Sequence, residues 1–298
     1  MNQLNLKLAG YSLAIKCSDE KLSYFLGREL VTFTGGHGED MLLRIELVRD
    51  LVMPVTIHRD ARVVSPVPGL QVILRTGIED GELCLEAKAC KDSDYEHDDD
   101  DFLHPILLNT LLFSYLQHLT SKGLAKICLI HACAAIRDGQ AVLFAGRSGA
   151  GKSTVARLLM EDCSFQVIGD DMILVSRSET GWLAHAAPLG GDIPSPLLSN
   201  VSAPLQAIYF LSQEGAPGYY RQDTTEALAS LMSSVVPAHE IRNTAQQTID
   251  EYDHESLTIL MRDASLLASE VPSFSLTYIL DEPPWGQLFK FERSREGK

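Results

Sequence analysis

Over residues 1–90 the hydrophobic positions come in short runs with a partial two-residue alternation. LNLKL, YSLAIKC, MLLRIELV and QVILRT each carry it, and this pattern predicts strands with one face turned inward. QVILRT and ELCLEAKA flank Gly77–Gly81, whose Asp80-Gly81 pair has hairpin chemistry. Gly35-Gly36-His37-Gly38 predicts a further turn. His37 and His58 read as turn and surface residues, and nothing in this stretch forms a chemical constellation.

The period changes at His104–Gly123. Leu108, Leu111, Leu112, Tyr115, Leu116 and Leu119 fall on one helical face, Pro105 suits the first turn and Gly123 the stop. Beyond it strands resume. KICLIHACAAI leads through Arg137-Asp138-Gly139-Gln140 into AVLFAG; TVARLLMED predicts a helix and FQVIGDDMILVSR a continuous strand. WLAHAAP, LQAIYFLSQ and SFSLTYILDE are further strands, with two or three helices across Thr224–Ala268. Strands separated by helices predict an α/β unit, and adjacent strand pairs make its sheet partly antiparallel.

Between these halves the composition shifts sharply. Seven of the ten residues Asp92–Asp101 are acidic, a density that repels itself and favours a solvated linker. It lacks the alternating ligands, bend glycine and distal Glu of a calcium loop. The expected division is therefore a β-rich domain over residues 1–100 and a second domain over residues 101–298.

Charge narrows the function classes. The net charge of −15 over 298 residues argues against nucleic acid and against an anionic membrane surface as main partner. No run approaches the ~20 apolar residues of a membrane span, and MNQLNLKLAG lacks a signal-peptide layout, so a cytoplasmic protein is expected. Six cysteines without a CxxC pair or zinc spacing read as free thiols in a reducing compartment.

The chemistry concentrates in Gly146-Arg147-Ser148-Gly149-Ala150-Gly151-Lys152-Ser153-Thr154, a full GxxxxGK[ST] phosphate-binding loop between a predicted strand and a predicted helix. Its glycines let the backbone turn so that N–H groups converge on phosphate at the positive end of a helix. Lys152 would neutralise the β- and γ-phosphates, and Ser153 would offer its hydroxyl to Mg²⁺. Eighteen residues beyond Lys152, Asp170 and Asp171 interrupt an apolar run. Adjacent carboxylates there need a cation or hydrogen-bond donors. His131 lies on the strand before the loop's own strand. If those strands are neighbours, it approaches the same phosphate end.

This order of His131, loop and Asp-Asp pair resembles the catalytic domain of the HPr kinase/phosphorylase family, over roughly Ile127–Leu211. The resemblance implies a P-loop α/β catalytic domain with a mixed sheet, preceded by the smaller β-rich domain. It also implies ATP and Mg²⁺, with transfer of the γ-phosphate to a Ser or Thr hydroxyl on a peptide or small protein. By the same resemblance Asp170 is the base, His131 assists at the phosphate end, Ser153 ligates Mg²⁺, and Asp192 is the nearest candidate for the family's acidic metal ligand. With one Asp of the pair facing the phosphates, the other, Asp171, would serve structure or metal. Thr154 stands where HPr kinases usually have Glu. Neither Arg221 nor Arg242 can be matched to the family's catalytic arginine. The chain is thus more similar to the divergent branch of peptide-modification clusters, the SynChlorMet cassette and lasso-peptide tail kinases. A homo-oligomer is compatible with this reading.

Two other functions compete. A small-molecule kinase would need a closed acceptor pocket from the Gly190–Tyr220 region. A nucleotide-gated binding module would keep the loop without transfer chemistry. An exposed edge of the β-rich domain would suit an extended peptide, added as a further strand.

Overall fold

The computed structural model describes residues 2–35, 41–48, 61–67, 70–79, 82–91, 104–110, 112, 116, 127–189, 191–194, 197–198, 200–213, 215–235 and 254–278. The acidic run 92–101 and the turn residues 36–40 lie outside them.

The first half forms a six-stranded mixed sheet in the order β1-β2-β3-β6-β5-β4. β1 (Asn2–Leu8) and β2 (Tyr11–Cys17) make an antiparallel hairpin, turned at Ala9 (φ 49°) and Gly10 (φ 91°). A helix that the hydrophobic pattern did not predict, α1 (Glu20–Glu29), follows. Asp19 caps it by accepting from Leu22 N–H at 2.8 Å, the role a short carboxylate fills at an N-terminus. A 3₁₀ turn, Val31–Phe33, comes next. β3 (Met41–Val48) lies parallel to β2, and α1 falls in the connection between them. β4 (Ala61–Val67) and β5 (Leu70–Glu79) are antiparallel. β5 and β6 (Glu82–Lys91) form the hairpin expected around Asp80-Gly81.

The edges of this sheet are less open than the sequence suggests. Thr34 bridges Leu6, Gly35 N–H donates to Asn5 O at 3.0 Å, and Asn200 Nδ2 donates to Lys7 O at 3.0 Å, so β1 already has partners along its outer side. β4 carries Pro66 and a register shift between Val64 and Val67, features that blunt an edge against strand addition.

A helix over 104–110, α2, buries Leu107 and Leu108, and the helical Leu112 and Leu116 continue the same apolar stripe. The second sheet contains β7 (Ile127–Arg137), β8 (Gln140–Ala145), β9 (Gln166–Gly169), β10 (Met172–Ser178), β11 (Gly181–His185), β12 (Ser202–Leu211), β13 (Gly218–Arg221) and β14 (Ser273–Thr277). Its order is β11-β10-β7-β8-β12-β14-β13, and β11 also pairs with β12, so five strands close upon themselves. The β7–β8 hairpin turns at Asp138 (φ 51°) and Gly139 (φ 77°). Two successive left-handed residues are what a two-residue hairpin of the strands' own twist requires. Parallel pairing is confined to β8 with β12 and β12 with β14; the remainder is antiparallel, as the adjacent strand pairs imply.

Helix α3 (Lys152–Glu161) covers one face through Val155, Ala156 and Leu159, against Cys133, Val142 and Phe144. The opposite face packs on α4 (Thr224–Met232) and α5 (His254–Glu270). Its buried cluster runs on without a break into Leu6, Leu13, Phe33 and Leu108, so the two sheets share one core.

Candidate functional site

The glycine-rich loop Gly146–Gly151 leaves the end of β8 and enters α3. Gly149 (φ 82°) and Gly151 (φ 103°) hold left-handed backbone that a larger residue resists. Gly151 is the N-cap of α3 and supplies no side chain to it. The first-turn N–H groups are therefore left for an outside acceptor. Ala150 N–H donates to Arg147 O at 3.0 Å, and Gln213 Nε2 donates to Gly149 O at 2.7 Å, pinning the loop to the end of β12.

Lys152 is buried, 6% exposed. Its Nζ donates to Gly146 O at 2.9 Å and Arg147 O at 3.0 Å, bridging the start of the loop. An ammonium has three donors, and the third has no partner among the described residues. Burial pulls the Lys152 pKa down from its ordinary value, and the Asp171 charge acts against that shift. A buried cation with one spare donor inside a glycine-rich turn fits an anionic phosphate. Ser153 and Thr154 follow in the first turn of α3, both half-buried.

The Asp pair does not lie within a continuous strand. The extended run FQVIGDDMILVSR breaks into β9 and β10, with Asp170 and Asp171 in the bend between them. The chain folds tightly here: a Cβ at Gly169 would fall 2.6 Å from Ile173 Cδ1 and 3.3 Å from Met172 O. β10 and β9 pair successively with β7. Ala132 N–H donates to Asp171 O at 3.0 Å across the break. The bend therefore places Asp171 beside His131, which the β7–β10 register sets opposite Met172.

The two carboxylates have different surroundings. Asp171 Oδ1 is 2.6 Å from His131 Nε2, and both side chains are partly open, at 32% and 26% exposure. Asp170 is 3% exposed. Its Oδ2 accepts from Asp192 N–H at 2.7 Å and Ile193 N–H at 3.2 Å, and its Oδ1 is buried without a partner. Burial raises the Asp170 pKa, the two N–H donors lower it, and the Asp171 and Asp192 charges raise it further. The Cys133 thiol, fully buried, is pushed up by burial and by Asp170 and down by Lys152.

The structure thus gathers His131, Lys152, Asp170 and Asp171 at one end of the sheet. Asp192 meets Asp170 through its backbone, and its own side chain is exposed. Among the described residues no three His, Cys, Asp or Glu converge into a metal centre. A Mg²⁺ ion held by one or two protein oxygens and substrate phosphates needs no such cage, and the Ser153 hydroxyl and the Asp192 carboxylate are oxygen donors of the right kind. Beside the loop a cavity of about 550 Å³ is lined by Gly146–Ala150, Ser212, Gln213, Gln222 and Ser234, among others. Gln222 was not singled out in the sequence. Its Nε2 donates to Ser230 Oγ at 3.0 Å while its Oε1 is buried without a partner. No local pattern marks a lone Gln as a pocket residue.

A mixed α/β sheet whose strand β8 runs through a glycine-rich loop into helix α3, with His131 on the neighbouring strand and the Asp pair in the bend after β9, defines the class of this protein as mixed α/β. The family model for the SynChlorMet cassette protein ScmC matches residues 94–290. That is about two thirds of the chain, and the chain belongs to this family. No curated protein matches the sequence. Among solved structures, the HPr(Ser) kinase/phosphatase from Coxiella burnetii is 14% identical with a TM-score of 0.34, covering 57% of this chain and 99% of that one. At that score a common fold does not follow. Among the described residues no helix is long and apolar enough to cross a membrane.

Proposed function

We propose that the protein is an ATP-dependent kinase that transfers the γ-phosphate to a Ser or Thr hydroxyl of a peptide or small protein. The observation that carries this reading is the meeting of two half-sites. Lys152 sits in its glycine-rich turn with one donor spare, and the His131–Asp171 pair stands at β7, the strand paired with the loop's own strand β8. Phosphoryl transfer asks for little else beyond positioning and charge stabilisation.

In the proposed reaction the loop N–H groups and Lys152 hold the β- and γ-phosphates. The acceptor hydroxyl oxygen bonds to the γ-phosphorus, the bond to the β-phosphate oxygen breaks, and ADP leaves. The hydroxyl proton passes to a carboxylate of the Asp170–Asp171 pair. Ser153 and Asp192 would hold Mg²⁺, which supplies neutralisation of charge on the phosphate oxygens. Asp171, the other expected metal residue, has its Oδ1 2.6 Å from His131 Nε2.

The peptide class of acceptor rests on the order of His131, Lys152 and Asp170, which resembles that of a protein-phosphorylating family. The acidic run Asp92–Asp101 would favour a basic partner. A second reading, a small-molecule kinase, has one observation of its own. The cavity of about 550 Å³ beside the loop is lined by Phe210, Leu211, Ser212 and Gln213, within the region such an acceptor pocket requires. Incubating the enzyme with ATP and Mg²⁺, then analysing by mass spectrometry the peptides encoded beside its gene, separates the two. Phosphoserine or phosphothreonine on a peptide supports the first reading. Label found only on a metabolite selects the second.

A further inference from the structure

We infer that Asp171, held by His131, is the carboxylate that meets the acceptor hydroxyl, and that Asp170 is a positioning residue fixing the turn over 191–193. The first half rests on the phosphotransfer reading above; the second stands on the structure alone. It exchanges the roles that the order of the two residues in the sequence implies.

Both oxygens of Asp170 face protein. Oδ2 gathers two backbone N–H groups, those of Asp192 and Ile193. Oδ1 is buried and packs on Gly191, where an added Cβ would lie 2.8 Å from the Asp170 Cγ and closer still to Oδ1. Gly191 has φ 98°, and its missing side chain is what lets the turn close over the carboxylate. A hydroxyl reaching Asp170 Oδ1 would have to displace the Gly191 backbone that packs on it. A residue that ties two N–H groups of a distant turn is acting as an anchor.

Asp171 has the opposite character. Its side chain is 32% exposed, and only Oδ1 is engaged, by His131 Nε2 at 2.6 Å. With the imidazole donating from Nε2, Oδ2 has no partner among the described residues and remains open to an incoming hydroxyl. The Ala132 N–H to Asp171 O bond holds the backbone against β7. His131 fixes the side chain, the pre-organisation that a positioned base requires. Of the two aspartates, Asp171 is the one whose charge acts on Lys152. In the transfer step the acceptor O–H bond breaks, its proton goes to Asp171 Oδ2, the oxygen bonds to the γ-phosphorus, and ADP departs with the electrons of the broken P–O bond.

The test compares Asp171→Asn, Asp170→Asn and Asp170→Ala in the full chain, by phosphotransfer and slow ATP hydrolysis, ATP affinity, and amide hydrogen exchange at residues 192 and 193. Asp171→Asn is expected to lower turnover by roughly 10²–10⁴-fold with ATP affinity held. Asp170→Asn keeps an oxygen acceptor for the two N–H groups and is expected to cost about two- to tenfold. Asp170→Ala is expected to speed exchange at 192 and 193 by at least tenfold, while Asp171→Asn leaves it alone. Turnover lost in Asp170→Asn and retained in Asp171→Asn would overturn the assignment. If wild-type enzyme binds ATP yet transfers phosphate to nothing, including water, the kinase reading falls with the role of Asp171. Exchange at 192–193 then still decides the anchor, and unchanged rates in Asp170→Ala would sink it.

Discussion

His131 Nε2 lies 2.6 Å from Asp171 Oδ1, although 40 residues separate them in the chain. The contact exists because β10 pairs antiparallel with β7 in a register that sets Met172 opposite His131. Removing the imidazole leaves Asp171 in place on the backbone but free to rotate. We expect His131→Gln to lower turnover on the order of tenfold, a fraction of what a positioned base supplies. ATP affinity, measured by calorimetry, should hold within about twofold, because the His131 side chain bonds to Asp171 while Lys152 is held by Gly146 O and Arg147 O. A loss confined to ATP affinity would assign His131 to phosphate binding instead.

The elements built on a strong local period were legible in the sequence. The β7–β8 hairpin, the loop, helix α3 and the β5–β6 hairpin all carry their own turn or motif chemistry. Helix α1 was not legible, because EKLSYFLGRE is short and its signal is the single N-cap at Asp19. The four-residue β13 was missed for the same reason. The broken strand at Asp170–Asp171 shows a different limit. FQVIGDDMILV has the composition of one strand, and the bend is seen only in the structure, where the room at Gly169 is too small for a side chain. The site followed the same rule. His131, Lys152 and the Asp pair were found from motif order, whereas their division of labour depends on a turn 22 residues further on.

Lys152 carries the clearest binding prediction. Its ammonium is already desolvated and already oriented by the Gly146 and Arg147 carbonyls, so nothing is lost in ordering it when phosphate arrives. A charge-assisted hydrogen bond is worth about 1.5–3 kcal/mol. Lys152→Ala should therefore weaken ATP by roughly 10- to 150-fold, with the fold intact by circular dichroism. Unchanged affinity in a calorimetric titration would remove the foundation of the kinase reading.

His185 sets a pH dependence of stability away from the site. It is buried, with Nε2 2.7 Å from Ser176 Oγ, and burial depresses its pKa from 6.5 to about 4. Between those values the unfolded chain binds a proton that the folded chain does not. Stability present above pH 6.5 is thus withdrawn as pH falls towards 4, by about 3 kcal/mol at most. His185→Gln, which keeps an acceptor for Ser176, should flatten that fall. Melting temperatures taken between pH 7 and 4 check it, and parallel curves for both proteins would contradict it.

Gly191→Ala tests the turn that closes over Asp170. The substitution adds only a methyl group, but at φ 98° and directly against the buried carboxylate. Left-handed backbone costs a non-glycine residue roughly 1–2 kcal/mol. The contact with Asp170 adds to this, since both atoms cannot occupy that space and the carboxylate is held by Asp192 and Ile193. We expect a loss of stability of at least about 2 kcal/mol, read as a lower denaturant midpoint. The double variant Gly191→Ala with Asp170→Ala separates the two causes. Removing the carboxylate opens room for the methyl group, so the cost of Gly191→Ala should shrink in that background towards the backbone penalty alone. If the cost is the same with and without Asp170, the turn does not press on the carboxylate. Gly191 would then be required for its backbone alone.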